Sequence, residues 1–209
     1  MLRPIANELK RHAPFTALGA VSGIIIMLII VFGHIPSNIS SIVFYTLHPV
    51  HVVLSALATT AMYARYKRCK LWSALLVGWT GSIGIATLSD AIIPYFGGAL
   101  LHVPMEFHIP FIEKWWVNLA ALIGVAICYR KPVTKMPHFG HVLLSTWASL
   151  FYLTSFGIVA DWIPLLPFVF VFLFLAVWIP CCTSDIVYPL LFVRKESEPP
   201  HPERREISS

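Results

Sequence analysis

His48-Pro49-Val50-His51-Val52-Val53-Leu54-Ser55 returns 90 positions later as His138-Phe139-Gly140-His141-Val142-Leu143-Leu144-Ser145. A second motif follows each copy: Ser89-Asp90 with Pro94, then Ser184-Asp185 with Pro189, 95 positions on. Self-similarity over this distance indicates an internal duplication, with about five extra residues in one half. The recurring residues are of metal-ligand type, and packing alone rarely repeats polar groups in register.

The surroundings of the repeat set the fold class. Of 209 residues 57% are hydrophobic and only 12% charged, against about 25% charged in soluble domains. Mean hydropathy is +0.76. Several stretches approach the roughly 18 apolar residues of a membrane span. The expected class is an all-α membrane protein of six transmembrane helices, at about 14–34, 43–65, 71–93, 113–130, 139–159 and 163–192.

The net charge of +5 does not point to nucleic acid. Basic residues cluster at Lys10-Arg11, Arg65 to Lys70, Arg130 to Lys135, and Arg194-Lys195 with Arg204-Arg205. Each cluster flanks an apolar segment, as the positive-inside rule requires. One assignment puts every cluster on the cytoplasmic side: both termini inside, and the 35–41 turn and 95–112 loop outside. A plasma or inner membrane location follows. The run from Phe15 to Phe32 lacks a small-x-small cleavage site and is expected to remain as a span.

The repeat unit is then three spans: 1–94 as the first half and 113–193 as the second. Between them lies an extracytoplasmic loop at 95–112, and 194–209 is expected to be a disordered cytoplasmic tail. An odd number of spans per unit inverts one half relative to the other, a plan common among secondary transporters. The match of Leu18-Gly19-Ala20-Val21 to Ile123-Gly124-Val125-Ala126 extends it weakly to the first span.

Histidines three apart share one helix face, which Ser55 or Ser145 extends. Read as first-turn residues, Pro49 and Pro137 put both pairs at helix starts, where the dipole favours neutral, ligand-competent imidazole. Asp90 and Asp185 supply negative charge. Each lies four residues before a proline, which frees the aspartate's own carbonyl in an α-helical count. An intramembrane ionisable side chain is functional by default.

The charge topology separates the groups into two pseudo-equivalent sites. His48, His51 and Asp90 are expected near the outer face, and His138, His141 and Asp185 near the inner one. Such ligands suit a divalent ion: zinc, manganese, iron, cobalt or nickel. Cys181, four residues before Asp185, is a further ligand for the inner site. Otherwise the cysteines read as small apolar packing residues, with no disulfide framework. Accessory candidates are Ser55, Ser89, His102, Glu106, His108, Ser145 and Ser184. His102 and Glu106 can share a helical face as a lid over the outer site. Trp115, Trp116 and Trp162 read as interfacial aromatics, Gly78, Gly81 and Gly84 as close-packing positions, and Asp161 as a solvated turn residue.

The leading functional expectation is a transporter or channel for a divalent metal ion, with proton exchange as its coupling. A membrane metal-dependent hydrolase acting on a lipid or hydrophobic substrate is the alternative, with Glu106 as general base. A bundle held by structural polar networks without metal is the bland version, and bis-histidine haem ligation is disfavoured by the separated pairs. The expected partners are the lipid bilayer and the ion or a small hydrophobic substrate, with no nucleic acid and no nucleotide cofactor. Assembly into a homo-oligomer is compatible with the sequence.

Overall fold

Apolar runs interrupted by Pro, Gly and basic turns fold as helices because a chain with so few charges must satisfy its backbone internally. The computed structural model describes residues 2–66, 70–130, 138–158 and 161–192. The helices are α1 (Leu2–Phe32), α2 (Ser37–Tyr66), α3 (Leu71–Thr87), α4 (Ile93–Leu100), α5 (Pro110–Glu113), α6 (Trp115–Arg130), α7 (His138–Phe156) and α8 (Leu166–Leu191). A π-turn at Leu88–Ile92 joins α3 to α4, and a 3-10 turn at Ile163–Leu165 leads into α8.

Among the described residues four stretches are long and apolar enough to cross a membrane: His12–Phe32, Ser37–Ala64, Leu71–Leu100 and Ile163–Cys181. The other two expected spans do not meet that criterion. α6 is apolar but only 16 residues long. α7 has 19 residues and buries Ser145, Thr146, Ser149 and Thr154, so polar residues dilute its apolar character.

Exposure is distributed as a bilayer would solvate it. On α1 the outward stripe is Leu18, Val21, Ile25, Ile29 and Phe32; on α8 it is Phe168, Val171, Leu175 and Ile179. These follow helical spacing. The interior holds the polar side chains instead, among them Thr16, His48, His51, Thr59, Thr60, Asp90, His141 and Ser145.

α2 is the central helix, packed against α3, α6, α7 and α8, while α1 lies on α7 and α8, and α3 on α6 and α8. α2 and α7 cross antiparallel. Phe44 near the start of α2 meets Tyr152 and Phe156 near the end of α7, with ring centroids 5.3 and 5.9 Å apart. Seven residues further along α2, His51 meets His141 at 4.7 Å.

Several boundaries differ from the sequence reading. α2 begins at Ser37, not near 43, because Ser37, Asn38 and Ser40 form its first turn after Pro36 rather than a loop. Pro49 is therefore interior, and His48 and His51 stand near the middle of the helix, not at its start. α4 carries the third helix through Leu100, which shortens the following connection. Trp162 is 9% exposed in a core with Val103, Leu153 and Val169, whereas Trp115 is 69% exposed. Asp161 is exposed and accepts a hydrogen bond from the Ile163 N–H at 2.9 Å. The 194–209 tail and Pro137 lie outside the described residues.

Close approach of helices rests on glycine at a few positions. A Cβ on Gly124 would stand 2.6 Å from the Val53 carbonyl oxygen and 2.7 Å from the Ala56 Cβ. A Cβ on Gly19 would stand 2.9 Å from Thr146 Oγ1. Gly78 and Gly81 likewise face Thr60 and Tyr188, whereas Gly84 has nothing within 4 Å and is exposed, against the close-packing expectation. Gly124→Val is expected to force α6 off α2 and destabilise by about 1–3 kcal/mol or more, since backbone cannot yield as a side chain does. Gly84→Ala should stabilise by up to about 1 kcal/mol through helix propensity. Thermal unfolding of both variants in one detergent checks the contrast; equal effects would refute it.

Candidate metal centre

Asp90 is fully buried on the π-turn, and four donors converge on its carboxylate. The Nδ1–H groups of His48 and His51 donate to Oδ2 at 2.9 and 2.6 Å. The hydroxyls of Ser89 and Ser145 donate to Oδ1 at 2.7 and 2.8 Å. A carboxylate has about four lone-pair sites, so this one is saturated. A neutral imidazole that donates through Nδ1–H carries its lone pair on Nε2, the ligating form.

The second half of the chain meets the first here. His51 Nε2 lies 3.0 Å from His141 Nε2, and Cys181 Sγ lies 3.9 Å from Ser145 Oγ. His51, His141 and Cys181, all buried, bring three ligand atoms within 4.8 Å of one another. His48, His51 and Asp90 form a second such group. His48 stacks on Phe44, and its Nε2 is buried with no hydrogen-bond partner.

Two features correct the sequence expectation. His51 and His141 are in contact, so the outer and inner groups are not held apart: α2 and α7 cross at these residues, and α2's early start puts His51 at mid-helix. The proline effect is also displaced by one residue. In the π-turn the Ile93 N–H bonds the Leu88 carbonyl five back. The same count pairs the Ser89 carbonyl with Pro94, which has no N–H. The Ser149 hydroxyl reaches that oxygen at 2.9 Å, sharing its proton with the Ser145 carbonyl at 2.8 Å. Counting by α-helical turns had assigned the freed carbonyl to Asp90.

Ser149 was not anticipated, although a signal existed. It lies four residues beyond Ser145 on the same α7 face, and the corresponding position in the first half is Thr59, also buried. Of the accessory candidates, Ser89 and Ser145 join Asp90, and Cys181 joins the histidines. Ser55 is buried without a hydrogen-bond partner. The side chains of His138, Ser184 and Asp185 lie outside the described residues, although their backbones are helical. Neither Cys128 nor Cys181 is in a disulfide.

The loop candidates form a separate group. His102 follows α4 in a left-handed conformation (φ 59°), and Glu106 lies outside any helix, so they share no helical face. Both are exposed. His108 Nδ1 sits 2.9 Å from Glu113 Oε1 and its Nε2 3.4 Å from Glu106. The Tyr45 hydroxyl and the Ile109 N–H also donate to Glu113, at 2.8 and 3.1 Å. Burial pushes the Glu113 carboxyl upward, but the bonds from Tyr45, His108 and Ile109 outweigh it and hold the group below its ordinary range. The Tyr152 hydroxyl accepts the His108 N–H at 3.0 Å, tying the loop to the Phe44 end of the α2–α7 crossing.

The site therefore belongs to a helical protein with four membrane-length apolar helices and buried His, Asp and Cys groups able to hold a metal ion. Compared with protein-family models, curated proteins and solved structures, the chain matches none.

Proposed function

We propose that the protein is a six-span inverted-repeat transporter that carries a divalent transition-metal ion through the cluster at the α2–α7 crossing. The observation that carries this reading is the 3.0 Å approach of His51 and His141, one from each copy of the motif, in a buried position between the two halves. Transporters of inverted topology bind their ions at such repeat interfaces near mid-membrane, beside irregular helix; the π-turn at Asp90 supplies that irregularity.

Packing equivalence supports the duplication. Gly19 abuts Thr146 and Gly124 abuts Ala56, and Ala56 and Thr146 each stand five residues after the second histidine of their motif. α1 packs on α7 and α8 as α6 packs on α2 and α3. Exchanging the halves thus carries one set of contacts onto the other. The hydrolase alternative is weakened by Glu106, whose carboxylate is 70% exposed and faces His108.

Purified protein in liposomes is expected to take up zinc or cobalt ions faster than empty liposomes, reported by an enclosed metal-sensitive dye. Uptake indistinguishable from empty liposomes, with folded protein in the membrane, would remove the transport reading.

A further inference from the structure

We infer that the ion is held by His51 Nε2, His141 Nε2 and the Cys181 thiolate, with Asp90 as a positioning residue behind His51 rather than a ligand. The inference rests on the metal reading above and narrows its substrate to borderline and soft ions of the zinc class.

The choice between the two candidate groups follows from distances. Two ligands bound at about 2.0–2.1 Å in tetrahedral geometry stand about 3.3 Å apart. His51 Nδ1 and Asp90 Oδ2 are 2.6 Å apart, too close to share an ion and right for a charge-assisted hydrogen bond. The Asp90 oxygens are moreover committed to four donors. His51 and His141 approach through their outer nitrogens at 3.0 Å, a separation that a few tenths of an ångström would open to the required value.

Asp90, His51 and the ion position then form a carboxylate–histidine–metal series. The carboxylate holds the imidazole in the Nδ1–H tautomer and raises the basicity of Nε2. Cys181 belongs to the same pocket: it is 2% exposed, packs with Val142 and Val177, and its sulfur lies within 4.8 Å of a ring nitrogen of each histidine. Binding replaces the thiol proton, which leaves to solvent, by a sulfur–metal bond, and His141, which donates its Nε2–H to His51 in the empty site, shifts to the Nδ1–H tautomer so that its Nε2 can ligate. A thiolate with two imidazoles selects zinc or cobalt and disfavours magnesium, calcium and manganese. Three protein ligands leave a fourth position for water, unlike the closed four-ligand arrangement of structural zinc sites.

X-ray absorption at the zinc edge of the native protein, loaded with zinc alone in detergent, tests the ligand set without any variant. One sulfur at about 2.3 Å with nitrogens at about 2.0–2.1 Å is expected; a shell of nitrogen and oxygen only overturns the inference. With cobalt as probe, a near-ultraviolet thiolate–cobalt band should appear, vanish in Cys181→Ser and persist in Cys128→Ser. Zinc should displace the cobalt and manganese at equal concentration should not. A band surviving in Cys181→Ser, or manganese competing as well as zinc, also overturns it. The two proposals fail separately. Ion uptake without a sulfur shell leaves transport standing and removes the ligand set, while a sulfur shell without uptake does the reverse.

Discussion

Asp90→Ala is expected to destabilise the folded protein severely, whereas Asp90→Asn should fold stably and lose about 10–100-fold in zinc affinity. The reason for the first is the number of donors the carboxylate satisfies. Removing it strands the buried Nδ1–H groups of His48 and His51 and takes from Ser89 and Ser145 their shortest bonds, leaving those hydroxyls the Ala86 carbonyl at 3.2 Å and the Ser89 oxygen at 3.3 Å. Each stranded donor costs about 1–3 kcal/mol. Two stranded donors and two weakened hydroxyls remove a large part of the stability of a typical domain, about 5–15 kcal/mol. Asparagine preserves the shape and one accepting oxygen, which Ser89 and Ser145 can keep. Its amide nitrogen cannot accept from the imidazoles, so His51 turns to the other tautomer and its Nε2 gains a proton. A protonated Nε2 is no ligand. Detergent size-exclusion with thermal unfolding measures the first effect, and competition with a zinc-chelating dye the second. An Asp90→Ala protein as stable as native would contradict the role of the carboxylate as the hub of the bundle.

The helices and the polar groups inside them could be read from the sequence because both depend on local pattern. Apolar run length marks a helix of membrane length, and His-x-x-His-x-x-x-Ser marks one face of it. The crossing was harder to read. The contact of His51 with His141 depends on where α2 starts, and Ser37, Asn38 and Ser40 carry the composition of a turn although they form a helical first turn. An error of about two turns displaces His51 by roughly 9 Å at 1.5 Å per residue, enough to move it from the middle of the helix to near its end. The π-turn was equally hidden. Pro94 announces a missing N–H, but only the inserted residue decides that Ser89, and not Asp90, holds the carbonyl that Ser149 bonds. Cys181 was visible as a helical neighbour of Asp185, while its proximity to His51 is a long-range fact of how α8 lies against α2 and α7.

The same crossing decides what paired histidine substitutions should do. His51→Ala and His141→Ala are each expected to abolish high-affinity zinc binding, by more than the about 10–100-fold attributed to loss of a residue behind a ligand, since each removes a ligand itself. The double variant should be no worse than either alone. Two ligands of one ion act as a unit, so their effects are strongly non-additive, whereas ligands of two separate sites would lose one ion each and add. Native protein should accordingly bind one zinc at this cluster, and both single variants none. His51→Ala also removes a donor from Asp90 and opens space beside it, while His141→Ala leaves the carboxylate with its four donors. Elemental analysis of native, single and double variants, prepared identically, reads the stoichiometry. Half the native zinc in each single variant and none in the double would instead place the histidines in two independent sites, and the single cluster at the α2–α7 crossing would have to be abandoned.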